Sequence, residues 1–241
     1  MTEPANSSAP LDDVRALVLK RIPLDTEPGR KVREALLTMG REGDFGRLGE
    51  AAEWLANWQH RYPPRIEQPV LAIFAGSHGL VDEGVSLSSD VDTRAHVDAL
   101  REGKAPLSAI ATQAGANIRV FELALDRPTP SIAETAAMSE RECAATITFG
   151  FEAIEDKPDL LALAVSGAGV GTAAAAVACA LYGGSPDYWV RPSNHTPPAI
   201  SKRRSELVGR ALTLHRGHLS DPLEALRCLG GRELAACVGA I

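Results

Sequence analysis

"LLALAVSGAGVGTAAAAVACALYGG", Leu160 to Gly184, is the stretch whose reading decides the fold. An apolar run, a burst of glycines and an alanine-rich run describe, in order, a buried strand, a tight turn and a helix. From Gly169 the turn reads G-V-G-T-A-A, which fits G-x-G-x-x-A with Ala174 in the last place. Such a turn aims the free N–H groups of a helix start at an anion. A dinucleotide fold also needs an acidic residue at the end of the next strand, about 20 residues on. Asp187 has that spacing but lies in the turn "GGSPDYWVRP", and no lysine follows the glycines to complete a Walker pattern. Two readings stay open from these residues: a phosphate or ribose site, and a structural turn whose glycines allow close packing and positive φ.

Outward from this unit, strands and helices alternate. "PVLAIFAG" (Pro69–Gly76), "NIRVFELAL" (Asn117–Leu125) and "DLLALAV" (Asp159–Val165) read as three buried strands. Between them the pattern predicts helices over Asp90–Arg101 and Pro106–Gln113, and from a capping box at Ser139 and Glu142 to about Ile154. After the alanine run, "AISKRRSELVGRALTLHRGH" and "SDPLEALRCLGG" are helical, the second punctuated by Asp221 as N-cap, Pro222 and Glu224. This alternation implies an α/β fold, a Rossmann-like parallel sheet flanked by helices with right-handed crossovers.

The N-terminal part has a different grammar. Residues 1–10 read as a disordered tail, and helices are expected over Leu11–Arg21, Gly29–Leu37 and Arg47–Tyr62 before "RYPPRIEQP" breaks the pattern. The expected division is a small helical unit over 11–62 and an α/β domain over 69–241. "RELAACVGAI" begins another apolar helix and stops at Ile241, which points to an incomplete chain.

With 241 residues, 45% of them hydrophobic and 23% charged, the chain can bury a sizeable core. A net charge of −6 argues against a nucleic-acid partner, and no apolar run is long enough to span a bilayer. Cys143, Cys179, Cys228 and Cys237 are widely spaced, so reduced buried thiols in a cytoplasmic protein are expected rather than disulfides or a metal site. No signal peptide is recognisable in "MTEPANSSAP".

"FAGSHGLVDEGVS" is the second stretch able to carry chemistry. Ser77 and His78 follow the first strand, where ligands bind in open parallel sheets, and Gly76 and Gly79 bracket them. Asp82 and Glu83 are near enough in sequence to orient the imidazole. His215 and His218 read as a solvated helix end, and Trp54, Trp58 and Tyr62 as a core-facing stripe. No G-x-S-x-G motif is present, and Ser166 has no identifiable triad.

The order "FGRLGE", "IFAGSHGLVDEGVS", "GANIRVFELAL", "SERECAATITFG", "DLLALAVSGAGVGTAAAAVACALYGG" and "HLSDPLEALRCLGGRELAACVGAI" resembles the nicotinate-nucleotide–dimethylbenzimidazole phosphoribosyltransferase family of cobalamin biosynthesis. The resemblance runs through nearly the whole chain after the tail. It implies a large Rossmann-like domain, a small helical domain and a homodimer. It also implies a glycosyltransferase (pentosyltransferase) that needs no metal or cofactor. The family moves phosphoribose from nicotinate mononucleotide to a benzimidazole nitrogen, giving α-ribazole phosphate and nicotinate, with a glutamate as base. The substrate-binding residues expected here are Ser77, His78 and Gly79 on one wall, Gly167, Gly169 and Thr172 facing them, and Glu122 at an acidic strand-end position. Arg47 matches the family's G-R-L.

The departures fall on the site. The family's P-P-G-[SA]-L-G-R-L-E is "GREGDFGRLGE" here, with Gly49 at the glutamate position. Its G-E-[ML]-G-x-[GA]-N-T-T is "AVSGAGVGT", with Val165 for the glutamate, Val170 for the asparagine and Gly171 for one threonine. "RPSNHTPPAISKRR" lacks the family's glycine-rich turn, and the C-terminal R-L-G-E-G motif that carries the catalytic glutamate is not in this chain. No catalytic residue is therefore identifiable. Val165 can accept neither a proton nor a hydrogen bond, and each lost polar pairing costs about 1–3 kcal/mol of binding. The alternative expectation is a non-catalytic relative that keeps the scaffold to bind a ligand or partner.

Overall fold

In the computed structural model, residues 9–20, 23–39, 45–191 and 196–241 are described. The expected tail falls mostly outside them, as do Gly40–Asp44 of "GREGDFGRLGE" and residues 192–195 of "RPSNHTPPAISKRR". A parallel three-stranded sheet forms the centre, in the order β2-β1-β3, from β1 (Pro69–Ala75), β2 (Asn117–Glu122) and β3 (Leu160–Ser166). Ile73 lies between Val120 and Ala164 in register, and Ala72 to Ala75 are almost wholly buried.

The two sides of β1 build two helical layers. Ile73 packs with Leu100 and Ala105, on α4 (Asp90–Arg101) and at the start of α5 (Pro106–Gln113). Ala72 and Phe74 pack with Phe121, Leu123 and Ala236, under α6 (Glu140–Gly150) and α11 (Arg232–Ala240). The chain therefore leaves β1 for β2 through α4 and α5 on one face, and reaches β3 through α6 on the other. This reversal makes the carboxyl ends of β1 and β3 a topological switch point, where a crevice opens in such sheets.

A larger apolar cluster fills the space beyond the sheet. It joins Leu80, Ile132 and Met138 to α7 (Val170–Tyr182), α9 (Pro198–Leu214) and α10 (Pro222–Leu229). The short α8 (Pro186–Trp189) contacts α7 and α9. Of segment 11–62, α1 (Pro10–Leu19) joins this cluster through Leu11 and Val14 and packs on α6. The helices α2 (Glu27–Thr38) and α3 (Gly46–Gln59) pack chiefly on each other, and buried Asn57 accepts the Gly29 N–H at 2.7 Å.

Several local expectations change. α3 buries Leu55, Ala56 and Asn57, the last against α2, while Trp54 and Trp58 point outward, 54% and 60% exposed, and do not form a core stripe. His215 is buried, with Nε2 2.9 Å from the Ile132 carbonyl, while only His218 is solvated. Ser139 caps α6 by accepting the Glu142 N–H, but the Glu142 carboxylate turns to Arg232 and leaves the capping box half made. All four cysteines are free thiols, and burial pushes Cys143 up to about 12. Among the described residues no helix is long and apolar enough to cross a membrane.

Candidate functional site

The β3–α7 turn is shaped by close backbone approach. A Cβ at Gly167 would overlap the Gly76 carbonyl oxygen, so the turns after β1 and β3 touch only because residue 167 has no side chain. Gly169 precedes α7 with φ +88°, a left-handed conformation that glycine adopts without penalty. Thr93, in the first turn of α4, ties this turn down: its hydroxyl accepts the Ala168 N–H at 3.0 Å and donates to the Ser89 carbonyl at 3.2 Å.

A cavity of about 300 Å³ opens between this turn and α4, at the lower end of the range for small-molecule sites. One wall is the β3–α7 turn, Ser166 to Gly169 with Gly171 and Thr172. The other is α4 and the chain before it, with Ser86, Ser88, Asp92, Thr93 and His96. Arg204, from α9, closes the side.

Two polar groups in this cavity lack the partners they need. Thr172 is 2% exposed, and its hydroxyl is buried and makes no hydrogen bond among the described residues. The Arg204 guanidinium uses its Nε on the Val85 carbonyl at 2.6 Å and makes no ion pair among the described residues. Burial lowers the Arg204 pKa, yet a guanidinium remains charged at neutral pH. An uncompensated cation and an unused hydroxyl beside a helix N-terminus make a receptor for an anion such as a phosphate. The cavity's one carboxylate among the described residues, Asp92, accepts from the Ser89 N–H and hydroxyl. Those bonds hold it below its usual range.

Three of the expected site residues, Gly167, Gly169 and Thr172, line this cavity. The wall facing them is α4 and not Ser77, His78 and Gly79. The Ser77 hydroxyl donates to the Leu125 carbonyl at 2.7 Å, and the Gly79 N–H donates to the Thr129 carbonyl at 2.6 Å, so both bind the turn to the segment after β2. His78 is 1% exposed, with Nε2 3.0 Å from Oε1 of Glu233, itself fully buried on α11. The carboxylate that orients His78 is thus Glu233. Glu83 is engaged by Ser131 and Arg210 instead. Burial raises the Asp90 carboxyl, an effect His78 opposes and Asp82 reinforces. Glu122 is held by Arg94 and Arg101 beside a separate surface hollow, and Arg47 lies on the exposed side of α3. Val165 is 37% exposed and does not line the cavity.

Sequence reasoning missed Arg204, Thr93 and the Ser86–His96 wall. Arg204 lies within "AISKRRSELVGRALTLHRGH", whose pattern reads only as a helix, and it is the packing of α9 that brings it to the crevice. Among the described residues no group of three or more His, Cys, Asp or Glu side chains could hold a metal ion.

Fold and cavity together define an α/β protein with a crevice at the switch point of a parallel sheet, lined by the Arg204 guanidinium and the start of α7. A family model described as "Phosphoribosyltransferase" matches residues 23–241. Similar proteins include the nicotinate-nucleotide–dimethylbenzimidazole phosphoribosyltransferases of Brucella canis and Brucella abortus. They are 42% and 41% identical over 236 residues, 98% of this chain and 70% of each relative. A crystal structure of the enzyme of that name from Thermus thermophilus matches with a TM-score of 0.77 at 29% identity, covering 90% of this chain and 70% of that one. A structure titled CobT from the same organism gives 0.78 at 28%, covering 89% and 70%. The chain belongs to the nicotinate-nucleotide–dimethylbenzimidazole phosphoribosyltransferase family.

Proposed function

We propose that this chain transfers phosphoribose from nicotinate mononucleotide to a benzimidazole-type base in cobalamin biosynthesis, using the crevice between α4 and the β3–α7 turn. The carrying observation is an Arg204 guanidinium without an ion pair among the described residues, in the same cavity as the unpartnered Thr172 hydroxyl and the start of α7. The substrate phosphate would sit against these groups, with Gly167 and Gly169 giving its ribose close backbone access. A base nitrogen lone pair then forms a bond to C1′. The C1′–nicotinate bond breaks with its electron pair returning to the pyridine nitrogen, and the base gives up its ring N–H proton to solvent water. Because the pyridinium is a good leaving group, holding the two rings in line supplies most of the acceleration.

The expected Ser77, His78, Gly79 and Glu122 enter this reading as supports of the surrounding loops. The homodimer implied by the family and the cytoplasmic location expected from the spaced cysteines belong to the same proposal, and sedimentation of the purified chain tests the first. A second reading, a binding protein without turnover, is favoured by one observation: the cavity holds no disengaged carboxylate among the described residues to take the proton. Incubating the purified protein with nicotinate mononucleotide and 5,6-dimethylbenzimidazole or another benzimidazole, and assaying for α-ribazole phosphates and nicotinate, tests the proposal. Release of both products supports transfer. Tight nucleotide binding without product establishes the second reading, and neither binding nor product overturns both.

A further inference from the structure

The turn after β1 and the β3–α7 turn meet at three places. The Gly76 carbonyl lies against Gly167, the Gly76 N–H donates to the Ser166 carbonyl at 3.0 Å, and Leu80 packs on Gly169. Segment 76–80 is therefore the support on which the glycine wall of the cavity rests. The same segment is gripped by α11. A Cβ at Gly76 would overlap Oε2 of Glu233, and a Cβ at Gly231, just before α11, would overlap both His78 and the Glu233 carboxylate. Two glycines far apart in sequence thus make room for one buried pair. Stability alone does not account for that pair. Apolar side chains of similar volume often stabilise a core as well as a buried ionisable pair does. Here Glu233 Oε2 and His78 Nδ1 are also left without hydrogen bonds among the described residues, which adds a cost. What the pair supplies is direction, because Nε2 and Oε1 meet at 3.0 Å in one geometry.

We propose that Glu233 is a positioning residue for the nucleotide. Acting through His78 and Gly76, it fixes where the β3–α7 turn stands, and so where Gly167, Gly169 and the start of α7 meet the phosphoribosyl group. For its ligand this inference rests on the transferase reading. Neither His78 nor Glu233 lines the cavity, so the pair acts only through the backbone it holds. A displacement of about 1 Å at a positioning element can cost roughly a hundredfold in rate. The reach of the side chain at position 233 is then what matters. Glu233→Gln keeps that reach and an oxygen facing His78. Glu233→Asp keeps the charge but draws the carboxylate back by one methylene from both His78 and Gly76.

The test compares the full chain with Glu233→Asp, Glu233→Gln and a control, Leu11→Ala, which opens the core at α1 and does not line the crevice. Calorimetry measures binding of nicotinate mononucleotide, and hydrogen exchange read by mass spectrometry follows the amides of residues 166–172 without ligand. The expected result is roughly tenfold weaker binding in Glu233→Asp, with Glu233→Gln within about threefold of wild type. Exchange at 166–172 should quicken in Glu233→Asp and stay at the wild-type rate in Leu11→Ala. His78→Asn, which also falls short of the contact, is read in the same way in place of a Glu233→Asp that does not fold. Binding and exchange in Glu233→Asp no different from those in Leu11→Ala overturn the inference and leave the transferase reading intact. A wild-type chain that binds no nucleotide sinks the transferase reading and, with it, Glu233 as a positioning residue for that nucleotide.

Discussion

His78 Nε2 and Glu233 Oε1 lie 3.0 Å apart although 155 residues separate them, and the pair joins the turn after β1 to the last helix inside the core. Both side chains are excluded from solvent, so neither can exchange its partner for water. Removing one leaves the other buried and unpaired, the costliest way to break such a contact. His78→Ala or Glu233→Ala should therefore destabilise the protein by about 3 kcal/mol in urea unfolding. Glu233→Gln, which keeps a hydrogen-bonding oxygen, should cost less. Equal losses for Ala and Gln would show that charge matters more than the hydrogen bond.

Gly167→Ala places a methyl group on the Gly76 carbonyl oxygen, a backbone atom that cannot swing aside. The two turns would have to part, at a cost of about 1–3 kcal/mol typical of overpacking. The expected result is a lower melting temperature together with weakened binding of nicotinate mononucleotide. Unchanged stability would mean that the turns are not in contact.

Thr93→Val keeps the shape of the side chain and deletes its hydroxyl. The Ala168 N–H then loses its acceptor in a buried position, which costs about 1–2 kcal/mol. Because Ala168 sits between the glycines that line the cavity, nucleotide affinity should fall as well. Calorimetry on Thr93→Val and Thr93→Ser distinguishes the hydroxyl from the methyl, since serine should restore affinity.

Asp221 supplies the pH dependence. Burial by itself raises its carboxyl, but hydrogen bonds from Arg15 and from the Leu223 N–H outweigh burial and hold it below its usual range. A carboxyl depressed in the folded state contributes stability that is complete above its unfolded pKa, about 3.9, and is lost as the pH falls through the folded value. Asp221→Ala should cost about 1 kcal/mol at neutral pH through loss of the α10 N-cap. Asp221→Asn keeps the cap and exposes only the Arg15 contribution. The gap between wild type and Asp221→Asn should be constant from about pH 7 to 5 and close below about pH 4 in urea titrations.

The strands and most helices were legible because each is written in a local pattern. β1 and β2 lie within the apolar runs and β3 outlasts its run by one residue, Ser166; the α10 cap is Asp221 as read, and Gly169 has the positive φ its motif implies. Pairings between distant segments were not legible. Glu233 looks locally like any acidic residue in a first helical turn, and only the packing of α11 on the sheet delivers it to His78. His215 and His218 share a helical spacing suited to a solvated end, yet the Ile132 carbonyl claims one of them. Trp54 and Trp58 misled because α3 is phased by Asn57, a polar residue buried to serve α2. The site was half visible: its glycine turn is a motif, but its α4 wall and Arg204 come from elements with no signature of their own.

Soaking crystals of the protein with nicotinate mononucleotide tests the central claim most directly. The predicted density lies between α4 and the β3–α7 turn, with the phosphate in hydrogen-bond contact with Arg204 and the first turn of α7, and it disappears in Arg204→Ala. Nucleotide bound elsewhere, or bound equally well without Arg204, would contradict the account.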